Sequence, residues 1–221
     1  MDKIILICAT GRSGSTTLQR LINTLPNCNI CGENNGAINS LLEFYLRLKY
    51  TTQIQVPGHF NPAKYEDIVS KNVKPSWYNS YNFNKMIDMI KSLIVNMFKK
   101  TNETNVWGFK EIRYDCGNIK YLHAFRELFP QTKVIIQVRE NVLAQSQSNF
   151  MRKNKNALRD LYALNTEFYN FYIKNKEFCY FITFEQMLKK ENIYKLFTFI
   201  ECSNDYDENK IIDVLNNNLK D

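Results

Sequence analysis

The chain has 221 residues, 44% hydrophobic and 23% charged, which suits a single domain with one sizeable core and excludes a disordered chain. A net charge of +7 points to an anionic ligand, but the basic residues are scattered without a nucleic-acid motif, so no nucleic-acid partner is expected. No apolar run is long enough to span a membrane and "KIILIC" is too short for a signal-peptide core, so a cytoplasmic protein with six free thiols is expected.

In chain order, residues 3–8 read as a strand buried on both faces. Residues 15–25 form a helix with Leu18, Leu21, Ile22 and Leu25 on one face. "CNICGE" (28–33) is a short strand ending at Gly32 and Glu33, and residues 38–50 are helical. Residues 51–82 are irregular and hold three of the five prolines. Long irregular segments in compact domains are usually functional, so about 38–104 is expected to be a substrate-binding insertion in one 1–221 domain. A helix over 83–100, a strand over 105–110, a helix over 117–129 and the strand "TKVIIQVR" (132–139) follow. Helices over 141–153 and 157–175, the strand "FCYFIT" (178–183) and terminal helices complete the chain. Strands alternating with helices predict an α/β fold, a P-loop-like parallel sheet with helices on both faces.

The stretch "ATGRSGSTT" links the first strand to the first helix, which is the layout of a phosphate-binding loop. In the ATP- and GTP-binding version a lysine reaches the β- and γ-phosphates; here that position is Ser15, and Ala9 replaces the first glycine. Anion capture survives, because the N–H groups from Gly11 through Arg12, Ser13 and Gly14 to Ser15 can form a nest at a positive helix N-terminus. Arg12 supplies a cation. The strand at 133–138 ends in Arg139 rather than in a metal-holding carboxylate, so no metal is expected.

"GRSGSTTLQRLI" resembles the 5′-phosphosulfate loop of sulfotransferases that use 3′-phosphoadenylyl sulfate (PAPS), and is most similar to the tyrosylprotein and Golgi-type branch. Four more stretches fall in that family's order. "CNICGE" resembles its Cys-Gly-Glu segment, and "WGFKE" its strand ending in a catalytic lysine. "LFPQTKVIIQVRENVLAQSQSNFMR" is similar to the 3′-phosphate stretch, and "FITFEQMLKKENIYKLFTFI" to the late Tyr-Glu-Asp-Leu segment. The resemblance implies the sulfotransferase fold, PAPS as donor, adenosine 3′,5′-bisphosphate (PAP) as product, and metal-independent in-line transfer.

It also implies roles. Glu33, at a strand end on the ligand-binding edge of the sheet, would be the base for the acceptor proton. Lys110 and Arg12 would neutralise charge on the leaving oxygen. Ser15 and Thr16, with Thr17 secondary, would bind the 5′-phosphosulfate. Arg139 offers a bidentate fork to the 3′-phosphate, joined by Ser148 and Arg152, which are four apart and share a face on a helix; Ser146 competes with Ser148. The acceptor is a glycan, a small alcohol or a peptide tyrosine, and the oligomeric state is left open. "NNGAIN" after "CGE" lacks the arginines that would grip an acidic peptide, Phe184 stands where the family often has tyrosine, and no glycine-rich C-terminal lid is visible.

Other signals are weaker. Cys28 and Cys31 form C-x-x-C, read as two free thiols on a strand. His59 in "VPGHF" is a loop histidine that could touch the acceptor, and "NET" at Asn102 is a glycosylation sequon by pattern only. The rival readings are a P-loop nucleotide or small-molecule kinase, against which Ser15 and Arg139 count, and a non-catalytic nucleotide-binding protein, which would need neither Glu33 nor Lys110.

Overall fold

The computed structural model describes residues 2–53, 82–149, 151–204 and 206–217. His59 and most of the proline-rich segment lie outside the described residues. Five strands, β1 (Lys3–Ala9), β2 (Cys28–Cys31), β3 (Val106–Glu111), β4 (Lys133–Val138) and β5 (Cys179–Thr183), form one parallel sheet in the order β2-β3-β1-β4-β5. Central β1 reads as continuous apolar sequence because both its faces are covered. The expected α/β architecture is the observed one.

Alternation along β1 divides the core. Ile5 and Ile7 face α1 (Ser15–Ile22), α8 (Lys190–Phe199) and α9 (Glu208–Asn216), packing against Leu18, Leu21, Leu196, Phe197 and Ile211. Ile4, Leu6 and Cys8 face α2 (Ala37–Gln53), α3 (Phe83–Phe98), α4 (Lys120–Leu128) and α6 (Ala157–Lys174), packing against Leu42, Ile94, Phe125 and Phe168. Between these lie α5 (Val142–Ser146) and α7 (Phe184–Met187). The chain leaves β1 toward the β3 side and later crosses to β4, so the winding reverses beside β1. Ligands of open α/β sheets collect in the crevice at the carboxyl ends of the strands at such a reversal.

One element departs from expectation. The helix over 141–153 stops at Ser146, and after a turn only a 3₁₀ segment, Met151–Lys153, follows. Ser148 and Arg152 therefore do not share one α-helical face, although the Arg152 N–H still donates to the Ser148 carbonyl at 2.9 Å. The Ser146 hydroxyl turns back to the Leu143 carbonyl at 2.8 Å, the local competition that makes serine-rich segments poor helix interiors.

Candidate active site

The loop from β1 to α1 bends through left-handed conformations at Arg12 (φ 63°) and Gly14 (φ 79°). Gly14 is the N-cap of α1 and has no side chain to cap the first turn; the Thr17 N–H donates to the Gly14 carbonyl at 3.0 Å, and the N–H groups of Ser15 and Thr16 lie at the helix's positive end, where an anion is favoured. Two glutamines hold the loop from behind. Gln137 on β4 donates to the Ser13 carbonyl at 3.1 Å; Gln145 on α5 donates to the Thr10 hydroxyl at 2.9 Å and the Gly11 carbonyl at 2.6 Å. The Ser13 side chain is itself fully buried.

In front of the loop is a cavity of about 160 Å³. The loop supplies Arg12, Gly14, Ser15, Thr16 and Thr17; Glu33, Lys110 and Arg139 arrive from the ends of β2, β3 and β4, with Ile112 and Phe184 completing the wall. Eight residues singled out in the sequence thus meet here. Ser148 and Arg152 are not in the lining: Arg152 is exposed on the 3₁₀ turn, while Ser148 is half-buried in the turn before it. The Arg139 Nε and the Ser148 Oγ are both buried without a hydrogen-bond partner, a costly state that a phosphate oxygen would relieve.

Charge within the cavity is organised around Glu33. Its Oε1 accepts from Lys110 Nζ at 2.7 Å and its Oε2 from Arg113 Nη1 at 2.9 Å. Lys110 is only 5% exposed, so its ammonium is held out of water by this pairing. The same Arg113 nitrogen also donates to Glu111 Oε1 at 3.0 Å. Glu111, 1% exposed, accepts further bonds from the backbone N–H groups of Asn34, Gly36, Ile112 and Arg113. Burial, the largest influence, raises its carboxyl; the N–H groups of Gly36 and Ile112 with the Arg113 guanidinium outweigh it and hold the carboxyl below the usual glutamate range. Arg113 is raised by its bonds to Glu111 and Glu33.

Glu111 and Arg113 escaped the sequence reading. Glu111 was visible only as the last letter of "WGFKE"; the available signal was a second charged residue closing a strand that is otherwise buried. Gln137 and Gln145, polar residues inside an apolar strand and a short helix, were the corresponding signal for the loop's support.

Phe184 roofs the loop. A Cβ on Gly14 would lie 2.2 Å from the Phe184 ring, so only glycine fits beneath it. The Arg139 guanidinium carbon sits 5.4 Å from the same ring centroid, at cation–π range. Cys28 and Cys31 are free on β2, and burial pushes the Cys28 thiol up to about 12, which leaves it a poor nucleophile.

The fold and the edge thus bring a lysine-free strand-to-helix loop and a Glu–Lys pair to the carboxyl ends of one parallel sheet. Residues 5–196 match the model of a family described as the sulfotransferase family, and the chain belongs to it. Among solved structures, the sulfotransferase domain from the curacin biosynthetic pathway is similar in fold, with a TM-score of 0.51 at 18% identity over 97% of this chain and 78% of that one. A crystal structure of retinol dehydratase in complex with androsterone and inactive cofactor PAP aligns with 96% of this chain and 63% of that one, at 14% identity and a TM-score of 0.39. No curated protein matches the sequence.

Proposed function

We propose that this sulfotransferase takes its sulfuryl group from PAPS, releases PAP, and uses Glu33 as the base for a hydroxyl or amine acceptor, with no metal. The observation that carries the reading is the Lys110–Glu33 contact of 2.7 Å in a cavity walled by the phosphate loop. A non-catalytic binder would need neither group. When bound, PAPS supplies an activated sulfuryl group, whose bond to the phosphate oxygen breaks as the acceptor oxygen or nitrogen bonds to sulfur. The first-turn N–H groups of α1 with Ser15, Thr16 and Thr17 hold the 5′ end of the donor. Arg139 and Ser148, each with an orphaned polar atom, hold the 3′-phosphate, and Arg152 reaches it from the neighbouring turn. Lys110 and Arg12 offset the charge developing on the phosphate oxygen. Glu33 takes the acceptor proton, since a carboxylate has about four lone-pair sites and the two cations occupy one on each oxygen.

Within the family we place the loop with the tyrosylprotein and Golgi-type branch, on the "RSGSTT" frame, and expect a cytoplasmic site of action. Among the described residues, no helix is long and apolar enough to cross a membrane. The segment at about 38–104, entered through α2 and left through α3, is proposed to be a substrate-binding insertion.

The test is thermal unfolding with PAP against ADP, each with and without magnesium. A ligand at a hundred times its Kd adds about 2.7 kcal/mol, at roughly 2–4 °C per kcal/mol for a chain of this size. PAP should raise Tm by several degrees without metal, and Arg139→Ala should lose that shift. Glu33→Gln should keep it while sulfuryl transfer falls by about 10²–10⁴, the range for a general base. A magnesium-dependent shift with ADP alone would return the site to the kinase reading.

A further inference from the structure

Ile112 belongs to two cavities. On one side it closes the donor-side cavity, and on the other it walls a second of about 630 Å³, within the range of about 300–1,000 Å³ typical of small-molecule sites. The connection follows from β3, which ends at Glu111 and releases Ile112, Arg113 and Tyr114 from the sheet edge beside Thr10 and Gly11. Across from them, α6 contributes Leu161, Ala163 and Leu164, and the 3₁₀ turn contributes Met151. The unexpected break after Ser146 is what brings Met151 to this wall.

The lining is mostly hydrocarbon, and its charges sit in a particular order. Its cation, Arg113, is committed to Glu33 and Glu111. The other charged groups are the exposed carboxylates of Asp115 and Asp160. An acceptor bearing carboxylates or sulfates would bring like charge to this mouth, and a polyhydroxylated sugar would desolvate its hydroxyls against Ile112, Met151 and Leu164. A neutral aromatic or alicyclic body pays neither penalty. Arg113 lines this cavity and also donates to Glu33 at 2.9 Å, so one side chain links it to the donor-side cavity.

Building on the sulfuryl-transfer reading, we propose that this cavity is the acceptor site and that its acceptor is a small, neutral, largely apolar alcohol or phenol rather than an acidic glycan or tyrosine peptide. The acceptor O–H bond breaks, its proton passes to Glu33, and its oxygen bonds to the sulfur that leaves the PAPS phosphate.

The probe is 2-naphthol, compared with N-acetylglucosamine and an acidic tyrosine peptide, each titrated calorimetrically into the full chain with and without PAP. The same compounds are then incubated with PAPS and their sulfated products measured. Two variants narrow the cavity. Ala163→Trp is placed at an exposed helix position, and Met151→Lys puts a charge into the apolar wall. The expected result is saturable 2-naphthol binding, weakened at least tenfold in both variants, with the PAP shift retained and 2-naphthyl sulfate as the preferred product. Absence of 2-naphthol binding, binding indifferent to both variants, or preferential sulfation of the sugar or peptide overturns the proposal. If PAP fails to bind while 2-naphthol binds with the same sensitivity to the variants, the donor reading falls and the cavity keeps its apolar ligand.

Discussion

Glu111 shows how one buried carboxylate can organise a site it does not line. It accepts from four backbone N–H groups and from Arg113, and so fixes both the turn after Glu33 and the cation that holds Glu33. Its carboxyl is held below the ordinary glutamate range once folded. A depressed folded pKa gives stability that is fully present above the unfolded value and is lost as pH falls through the folded value. Glu111→Gln should therefore be less stable than the parent at pH 7 by about 2 kcal/mol, the scale of hydrogen bonds to a charged group. The gap should narrow as pH falls from about 4.5, near the ordinary glutamate value, toward 2. Parallel thermal melts across that range decide it, and a gap independent of pH would mean that the carboxylate's charge plays no part.

At the scale of elements, the phosphate loop depends on a helix too short to be legible. Helix α5 exists to aim Gln145 at Thr10 and Gly11. The sequence suggested one helix through residue 153 because nothing in "SQSNFMR" is a proline or glycine stop; the Ser146 back-bond and the tightened turn that ends it are side-chain events with no periodic signature. The strands were legible for the opposite reason. β1 and β4 are buried on both faces, so burial and β-propensity agree residue by residue. The site followed suit: residues at strand ends and in the loop could be placed from their sequence neighbours, while Arg113, whose partners are Glu33 and Glu111, has a role only after folding. Removing the glutamine clamp in Gln145→Ala leaves a buried hydroxyl and a carbonyl without this donor. PAP should bind roughly tenfold more weakly, equivalent to about 1.4 kcal/mol, and Tm in the absence of ligand should fall by several degrees, because a buried group left unsatisfied costs about 1–3 kcal/mol at roughly 2–4 °C per kcal/mol. Calorimetric titration of PAP against both proteins measures this, and an unchanged Kd would show that the loop holds its shape without α5.

For the whole molecule, the proposed function requires that Lys110, the β1–α1 loop and Arg139 arrive together at one edge, so the registers of β1, β3 and β4 are the common constraint. Gly108 is where that constraint is tightest. It pairs with Ile5 on one side and Ile30 on the other, and a Cβ there would lie 1.8 Å from the Ile5 carbonyl oxygen and 2.8 Å from its carbonyl carbon. These are backbone atoms of the central strand, so relief requires β1 and β3 to separate or slip. Overpacking of a core ordinarily costs about 1–3 kcal/mol, and a clash with a strand backbone belongs at the upper end. Gly108→Ala should thus lower Tm by roughly 6–12 °C, at about 2–4 °C per kcal/mol. It should also weaken PAP binding, because the strand ends that carry the site are displaced with the pairing. Gly32→Ala is the matched control: it adjoins Glu33, but an added Cβ there meets nothing within 4 Å, so its melt should overlay that of the parent. If Gly108→Ala melts with the control, the β1–β3 register is not what aligns the site, and the alignment must come from the loop clamps and the Glu33–Lys110–Arg113 network instead.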